Sequence, residues 1–222
     1  MTPPVATAPV SPQTRPPLEL ADRIVAAMRR LNYQVDDDFG CLNIVYVEGM
    51  NSVDGTVNDN RANQFNDTRL LIQFIGGKAT IVGKWEATTE PGLYWTEHRM
   101  NPKGAARIKF GQYQSWMVGS YHGTPALLQV APITVYRDDN EDFKRVGDRE
   151  DTGMFGIHQH GGYDYPHNDL GRSSAGCLVG RTVVGHEAFM MLVKTDKRYV
   201  EDHNYHFWTA VIPVSEIVGV VA

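Results

Sequence analysis

The 222-residue chain has few cysteines, no excess of positive charge and no long hydrophobic run, and each absence excludes a class of protein. Two cysteines, Cys41 and Cys177, cannot supply the several disulfides of a small secreted scaffold, although one bridge between them stays an open alternative. The formal net charge of −5 leaves no basic surplus to cover a phosphate backbone, so we predict no nucleic-acid partner. No apolar run reaches the roughly 18 residues of a membrane span, so we predict no transmembrane segment.

The amino-terminal part of the chain differs from the rest in composition. Residues 1–17 hold six of the twelve prolines and lack the charged start and apolar core of a secretory signal peptide. We predict that they form a flexible arm, which can dock to a protein partner. Residues 18–41 contain apolar side chains at helical spacing in "LELADRIVAAMRRLNY", which predicts an amphipathic helix and a connector. We expect this helix to pack on the main domain, residues 42–222.

The main domain has the pattern of a mainly β fold. Short β-branched and aromatic runs alternate with Gly, Asn, Asp and Pro, and "IGGK" is typical of a hairpin turn. We predict strands in "LNIVYVEG", "RLLIQFIGG", "KATIVGKWEATT", "ARIKFGQY", "SWMVGSYH", "ALLQV" and "ITVYRD", and a last strand in "YHFWTAVIPVSEI". One later helix is predicted in "TVVGHEAFMMLVK", with Ala188, Phe189 and Leu192 facing inward.

Neither a cofactor nor a calcium ion is indicated by the motifs of the main domain. No glycine-rich phosphate loop joins a strand to a helix at the required spacing, so we predict no cofactor. The string "DDNEDFKRVGDRE" has Phe143 at the sixth position of a calcium loop and Arg149 at the twelfth, where Gly and Glu are required. We therefore interpret it as a solvated acidic turn.

The stretch "FGIHQHGGYDYPHNDLGRSSAGCLVGR", residues 155–181, concentrates three of the eight histidines, six of the 21 glycines and one of the two cysteines. A cysteine nucleophile needs a base within hydrogen-bond reach and N–H donors for the oxyanion. Small residues precede Cys177, and Gly176 permits the tight turn that would aim backbone N–H groups at a carbonyl. His158 and His160 alternate at a predicted strand end, so they share one face. The stretch predicts a cysteine–histidine pair.

Two other interpretations of this stretch stay open at the level of sequence. His158, His160, His167 and Cys177 are all zinc ligands by type, but no close Cys pair or His-x3-His spacing accompanies them, so we predict no metal. A purely structural loop is the second alternative. Cys41, beside "LNIVYV", is typical of a buried small hydrophobe instead.

His160-Gly161 followed by Ser174-Ala175-Gly176-Cys177 resembles the signature of the L,D-transpeptidase, or YkuD-like, family. That signature is a His, usually followed by Gly, and then Ser/Thr-His-Gly-Cys. The resemblance implies a YkuD-like β-sandwich with a few short helices. This chain departs from the signature because Ala175 replaces the second His and the nearest Arg, Arg181, follows the Cys by four positions.

The resemblance implies cysteine-dependent acyl transfer on peptidoglycan stem peptides, with the cell wall or periplasm as the site of action. The Cys177 thiolate would attack the carbonyl of a diamino-acid residue, and His160 would take the thiol proton and protonate the leaving amine. The N–H groups of Gly176 and Cys177 would hold the oxyanion. Other motif residues are expected to support catalysis or bind substrate, with arginines gripping a carboxylate: His158, Ser174, Gly161, Tyr163, Arg172 and Arg181.

Several alternatives stay open within this interpretation. His160 is the favoured base because a Gly follows it, but His158 lies closer to the usual spacing from Ser174. An amine acceptor would give a transpeptidase, and water would give an L,D-carboxypeptidase or a peptidoglycan hydrolase of a phage or antibacterial effector. A non-enzymatic wall-binding or structural module of phage type is the remaining hypothesis.

Overall fold

The computed structural model describes residues 18–218, which form a mainly β fold with a few short helices, as predicted. The predicted arm, residues 1–17, lies outside the described residues. The helices are α1 Leu20–Arg30, α2 Leu93–Glu97, α3 Val183–Val193, α4 Lys197–Glu201 and α5 Ser215–Val218. The strands are β1 Leu42–Glu48, β2 Asp67–Ile75, β3 Lys78–Thr88, β4 Ala105–Ile108, β5 Gly111–Tyr121, β6 Thr124–Gln129, β7 Ile133–Asp138, β8 Arg149–Gly153, β9 Gln159–Gly161, β10 Leu178–Gly180 and β11 Phe207–Pro213.

Eight of these strands close into a barrel, in the order β1-β11-β5-β6-β9-β10-β3-β2. The β1–β11 and β9–β10 pairs are parallel, and the other neighbours are antiparallel. A second sheet has the order β4-β7-β8. The finer expectation, a YkuD-like sandwich, stays a prediction.

The predicted hairpin turn in "IGGK" joins β2 to β3. Gly76 and Gly77 both have positive φ, +59° and +78°, which is the backbone conformation of a tight two-residue hairpin turn. The turn starts the β2–β3 ladder, which runs from the Ile75–Lys78 pair to the Asp67–Ala87 pair. The Gly-Gly turn thus fixes the register in which β2 and β3 pair.

Three clusters of buried apolar side chains hold the fold together, and the smallest contains Phe65, Leu170, Cys177 and Val179. The first fills the barrel with side chains such as Tyr46, Trp116 and Leu127 and continues under the small sheet and α3. The second lies on the outer face of the barrel, where Ile24 and Met28 of α1 are almost fully buried. Burying side chains of this size contributes roughly 1.5–3 kcal/mol each. The helix predicted within residues 18–41 therefore packs on the barrel, as expected.

The predicted inward face of α3 is confirmed in part, since Leu192 also packs against the first cluster. Phe189 is fully buried as predicted, whereas Ala188 and Leu192 are only half-buried. The buried face instead contains His186, Met190 and Val193 beside Phe189. The His186 ring on this face lies between two polar partners, Arg69 of β2 and the Pro125 carbonyl of β6.

The acidic string that begins at the end of β7 is mostly a solvated turn, as predicted, except at its first residue. Asp138 is completely buried, although a solvated turn was predicted for this segment. Its carboxylate accepts hydrogen bonds from the backbone N–H groups of Asp142 and Phe143 at 3.2 and 3.0 Å. A side chain that satisfies backbone donors can be buried at low cost, which periodicity does not reveal.

No helix in the described range is both long enough and apolar enough to cross a membrane.

Candidate functional site

The parallel pair β9–β10 brings the His-rich and Cys-containing parts of the motif together. His160 lies opposite Val179, and the Leu178 N–H donates to the His158 carbonyl at 2.9 Å. Gln159 points into the barrel, where it hydrogen-bonds to Thr209 at 2.8 Å. Because side chains alternate along a strand, His158 and His160 share the outer face, as the sequence predicted. Cys177 immediately precedes β10 on this side.

The Cys177 thiol is buried and contacts the backbone of the strand that carries the histidines. Its sulfur accepts a hydrogen bond from the His158 N–H at 3.4 Å, and the S–H faces the Gly156 carbonyl at 3.7 Å. The residue is only 9% exposed. Burial raises the thiol pKa to about 11, and the His158 N–H offsets this in part. The resting group is therefore a neutral thiol, which needs a base to become a nucleophile.

The turn before Cys177 is closed by Ser174. The Ser174 hydroxyl accepts from the Gly176 N–H at 3.1 Å and donates to the Cys177 carbonyl at 2.9 Å. Gly176 has a φ of +123°, and a Cβ added there would lie 2.5 Å from the Ala106 carbonyl oxygen. These contacts correct the predicted role of Gly176 as an oxyanion donor, because its N–H is already used. Gly176 instead permits the turn that presents the thiol.

His160 has the proton arrangement of a general base. Its Nδ1 lies 2.8 Å from the Gly161 carbonyl oxygen, which can only accept, so Nδ1 carries the proton. The lone pair of the neutral ring is therefore on Nε2. The ring is 3% exposed, and burial lowers its pKa to about 4. His160 is thus uncharged near neutral pH and can accept a proton at Nε2.

His158 has the opposite proton arrangement. Its Nδ1 accepts the backbone N–H of Gln129 at 3.0 Å, so the neutral ring carries its proton on Nε2. Burial lowers its pKa as well, with a smaller contribution from His122. His158 can therefore donate a hydrogen bond from Nε2 but cannot take a proton there. These tautomers favour His160 as the base over His158.

Two residues that the sequence analysis missed position the pair. The Tyr121 ring lies beside both imidazoles, with centroid separations of 4.9 Å to His158 and 4.8 Å to His160. The buried Gln129 amide accepts from the N–H groups of Phe155 and Ile157 at 3.0 Å, which fixes the segment leading to His158. Both residues come from the β5–β6 hairpin, whose pairing with β9 is long-range, so no local sequence signal indicates them.

Two predicted substrate-binding residues lie beside His160. Gly161 accepts the Nδ1 proton and packs against His186, where a Cβ would approach the His186 Cβ to 3.2 Å. The Tyr163 ring is 54% exposed, with its centroid 6.3 Å from that of His160. Both positions stay compatible with substrate contact.

The predicted carboxylate-binding arginines have other partners. Arg181 pairs with Glu86 and donates to the Tyr165 carbonyl at 3.3 Å, and Glu86 also binds His167 at 2.9 Å. These contacts tie Arg181 to the loop between β9 and β10, and its predicted contact with substrate stays a prediction. Arg172 is exposed, and its guanidinium lies 4.1 Å from the centroid of the Tyr94 ring.

The structure does not assemble the alternative zinc site. Within residues 18–218, the His, Cys, Asp and Glu side chains close enough to share an ion are Asp138, Asp142 and Asp148. The group does not include the motif histidines or Cys177, and His167 is tied to Glu86. Cys41 and Cys177 are both buried free thiols, so the disulfide alternative is not formed.

Two cavities flank the cysteine–histidine pair. The first, of about 390 Å³, is open to the Cys177 side, with Tyr121 and Gly156 among its walls. The second, of about 280 Å³, is lined by Gly161 and Tyr163 on the His160 side and is mostly apolar. Volumes of this size accommodate small ligands or peptide segments. The first cavity is lined by Cys177 and the second by the residue that follows His160.

Comparison with known proteins returned no matching family model, curated protein or solved structure. The motif, together with the strand pairing that brings its Cys and His segments together, therefore carries the functional interpretation.

Proposed function

We propose that the protein catalyses cysteine-dependent acyl transfer on peptidoglycan stem peptides, as an L,D-transpeptidase or L,D-carboxypeptidase. One observation carries this proposal: the β9–β10 pairing places Cys177 against the backbone of the segment that carries both motif histidines, and the His160 imidazole has its Nδ1 2.8 Å from the Gly161 carbonyl oxygen. A base oriented by a third group next to a nucleophile is the arrangement of covalent acyl-transfer sites.

The proposed first step is acylation of Cys177. The Cys177 sulfur attacks the carbonyl carbon of the diamino-acid residue while His160 Nε2 takes the thiol proton. Because the resting thiol and imidazole are both neutral, proton transfer accompanies the attack. The tetrahedral intermediate collapses with cleavage of the C–N bond, and His160 returns its proton to the leaving amine. A thioester on Cys177 remains.

The second step resolves the thioester. An amine acceptor gives a crosslink and water gives a free carboxylate, with His160 removing the proton from either one. The Cys177 N–H is the proposed oxyanion donor, since the Gly176 N–H is held by Ser174. The His158 Nε2 proton is a second candidate donor, because that ring extends beside Gly156 at the thiol.

The proposed family assignment rests on the motif and agrees with the coarse fold class, which is mainly β. A mainly β body leads into a short parallel strand pair that joins the His and Cys segments, as the motif requires. We propose that the chain is a divergent YkuD-like protein in which Ala175 replaces the second motif histidine. The lining of the Cys177 cavity includes Ala175, so the replacement leaves more room beside the thiol.

A carbapenem tests the nucleophile, because its strained β-lactam carbonyl acylates a reactive cysteine. We expect intact mass spectrometry to show one adduct on the wild type and on the matched Cys41→Ala control, whose thiol lies elsewhere and is 5% exposed. Cys177→Ala should form none. An adduct retained in Cys177→Ala would contradict the assignment.

Digestion of peptidoglycan by the protein then identifies the acceptor. Crosslinked products indicate transpeptidation, trimmed stems indicate hydrolysis, and wall binding without any product indicates a non-enzymatic module.

A further inference from the structure

The cavity at Cys177 has an unusual charge distribution. Arg137 is the single charged side chain among the described residues that line it. The rest of the wall is apolar, aromatic, neutral polar or glycine: Trp95, Met100, Asn101, Gly104, Ala105, Ala106, Tyr121, Met154, Phe155, Gly156, Ile157, Ala175 and Cys177. A guanidinium in such a wall is a selective feature for an anionic ligand, because low-dielectric surroundings strengthen its field.

The Arg137 guanidinium is rigidly held and incompletely satisfied. Its side chain is 3% exposed, its Nε donates to Asp151 Oδ2 at 3.0 Å, and its plane lies over the Phe155 ring at 4.4 Å. Nη2 is buried and has no hydrogen-bond partner within residues 18–218. A buried donor without an acceptor is costly, and Arg137 belongs to the cavity lining, so a ligand oxygen that reached Nη2 would restore the missing hydrogen bond.

The charge balance around Arg137 also favours an anion. Asp151 is shared between Arg137 and Lys103, whose Nζ lies 3.3 Å from the same oxygen. One carboxylate therefore faces two cations. Arg172 and Arg181 cannot replace Arg137 in this cavity, since neither belongs to its lining.

We propose that Arg137 binds a carboxylate of the acyl donor in the Cys177 cavity and so selects substrates with a free carboxylate near the scissile bond. The identity of the donor rests on the proposed function. A stem peptide offers this chemistry from two sources: the terminal carboxylate of the leaving amino acid and the side-chain carboxylate of the diamino acid. A guanidinium matches either one, because two N–H groups can meet two carboxylate oxygens.

Alkylation of Cys177 tests the anion site without any peptide. Iodoacetate and iodoacetamide both form an S–C bond with release of iodide, and they differ only in carboxylate against carboxamide. We expect the ratio of their rate constants at Cys177, measured by peptide mapping, to fall about tenfold in Arg137→Gln, as expected for loss of one charge-assisted hydrogen bond. Lys109→Gln removes an exposed, paired charge outside the cavity and is the matched control. An unchanged ratio in folded Arg137→Gln would overturn the proposal.

Two further variants keep the test decisive if Arg137→Gln does not fold. Asp151→Asn removes the competing carboxylate and should raise the iodoacetate-to-iodoacetamide ratio. Arg137→Lys keeps the positive charge but loses the planar guanidinium. Its iodoacetate-to-iodoacetamide ratio should lie between that of the wild type and that of free cysteine. If neither variant changes the ratio, Arg137 does not act on ligands in this cavity.

Synthetic tetrapeptide stems identify the source of the carboxylate. Amidation of the peptide terminus and amidation of the diamino-acid side chain are tested separately. Amidation of the carboxylate that Arg137 binds should raise KM in the wild type but not in Arg137→Gln. If both amides react like the acid, the substrate part of the proposal is wrong. If no stem is processed while the alkylation ratio still depends on Arg137, the anion site stands and the proposed function fails.

Discussion

Two imidazoles on one strand face have opposite proton positions, and this difference separates their chemistry. Nδ1 of His160 carries a proton, which it donates to the Gly161 carbonyl oxygen. Nδ1 of His158 carries none, because it accepts a hydrogen bond from the backbone N–H of Gln129. The shared face could be predicted from alternation alone. The tautomers could not, because Gln129 belongs to a strand that is distant in sequence and reaches β9 only in the folded barrel.

The low pKa of His160 predicts a stability change with pH. Its folded pKa of about 4 lies below the usual 6.5, so the unfolded chain binds more protons in this interval. The contribution of His160 to stability is complete above pH 6.5 and is lost as the pH falls through 4. Between pH 7 and pH 5 the loss is about 2 kcal/mol. In urea unfolding, the free energy of unfolding of His160→Asn should fall less between pH 7 and pH 5 than that of the wild type, by this amount. An equal fall in both proteins would contradict a buried, neutral His160 ring.

The same pKa values predict the pH profile of Cys177 acylation. His160 becomes a competent base above its pKa of about 4, and the thiol ionises only near its pKa of about 11. The second-order rate constant for a carbapenem should therefore rise around pH 4 and stay level to pH 9, since it reports the free enzyme. A rate constant that rises with a midpoint at pH 6.5 or higher would show instead that the reactive form is a solvated imidazole or a thiolate.

Among the structural elements, the turn between Ser174 and Cys177 determines where the thiol lies. Gly176→Ala combines a φ of +123° with a Cβ only 2.5 Å from the Ala106 carbonyl oxygen, so the turn or β4 must move. We expect a loss of about 2–4 kcal/mol in unfolding free energy and loss of the carbapenem adduct. Gly77→Ala is the control, because its φ is also positive but nothing lies within 4 Å. It should cost about 1–2 kcal/mol and keep the adduct. Equal effects of the two changes would contradict the close approach of Gly176.

The elements themselves were predictable where the signal is local. Helical spacing indicated α1, short β-branched runs indicated β1 and β2, and the Gly-Gly pair indicated the turn after β2. The strands β9 and β10 have three residues each, too few for a periodic signal, and they form because the Gln159 side chain bonds to β11 across the barrel. "ARIKFGQY" was predicted as one strand, but the chain breaks at residues 109–110 and divides it between two sheets.

On the scale of the whole molecule, barrel closure explains why the site was only partly predictable. The motif supplied Cys177, His160 and Gly176, but Tyr121 and Arg137 come from β5 and β7, which precede the motif by many residues. They reach the thiol only after β6 pairs with β9 and the small sheet packs against the barrel. The same packing brings Glu86 of β3 to Arg181, and the two form an ion pair. The position of Arg181 four residues after Cys177 did not indicate this partner.

The central claim is that His160 activates Cys177 within this assembled site. The most direct test compares the rate of Cys177 acylation by a carbapenem in wild type, His160→Gln and His158→Gln, with melting temperatures to confirm folding. Loss of a general base lowers a rate by about 10²–10⁴-fold, and we expect a loss of this size in His160→Gln and a smaller loss in His158→Gln. A wild-type rate in His160→Gln, or the larger loss in His158→Gln, would contradict the assignment of His160 as the base.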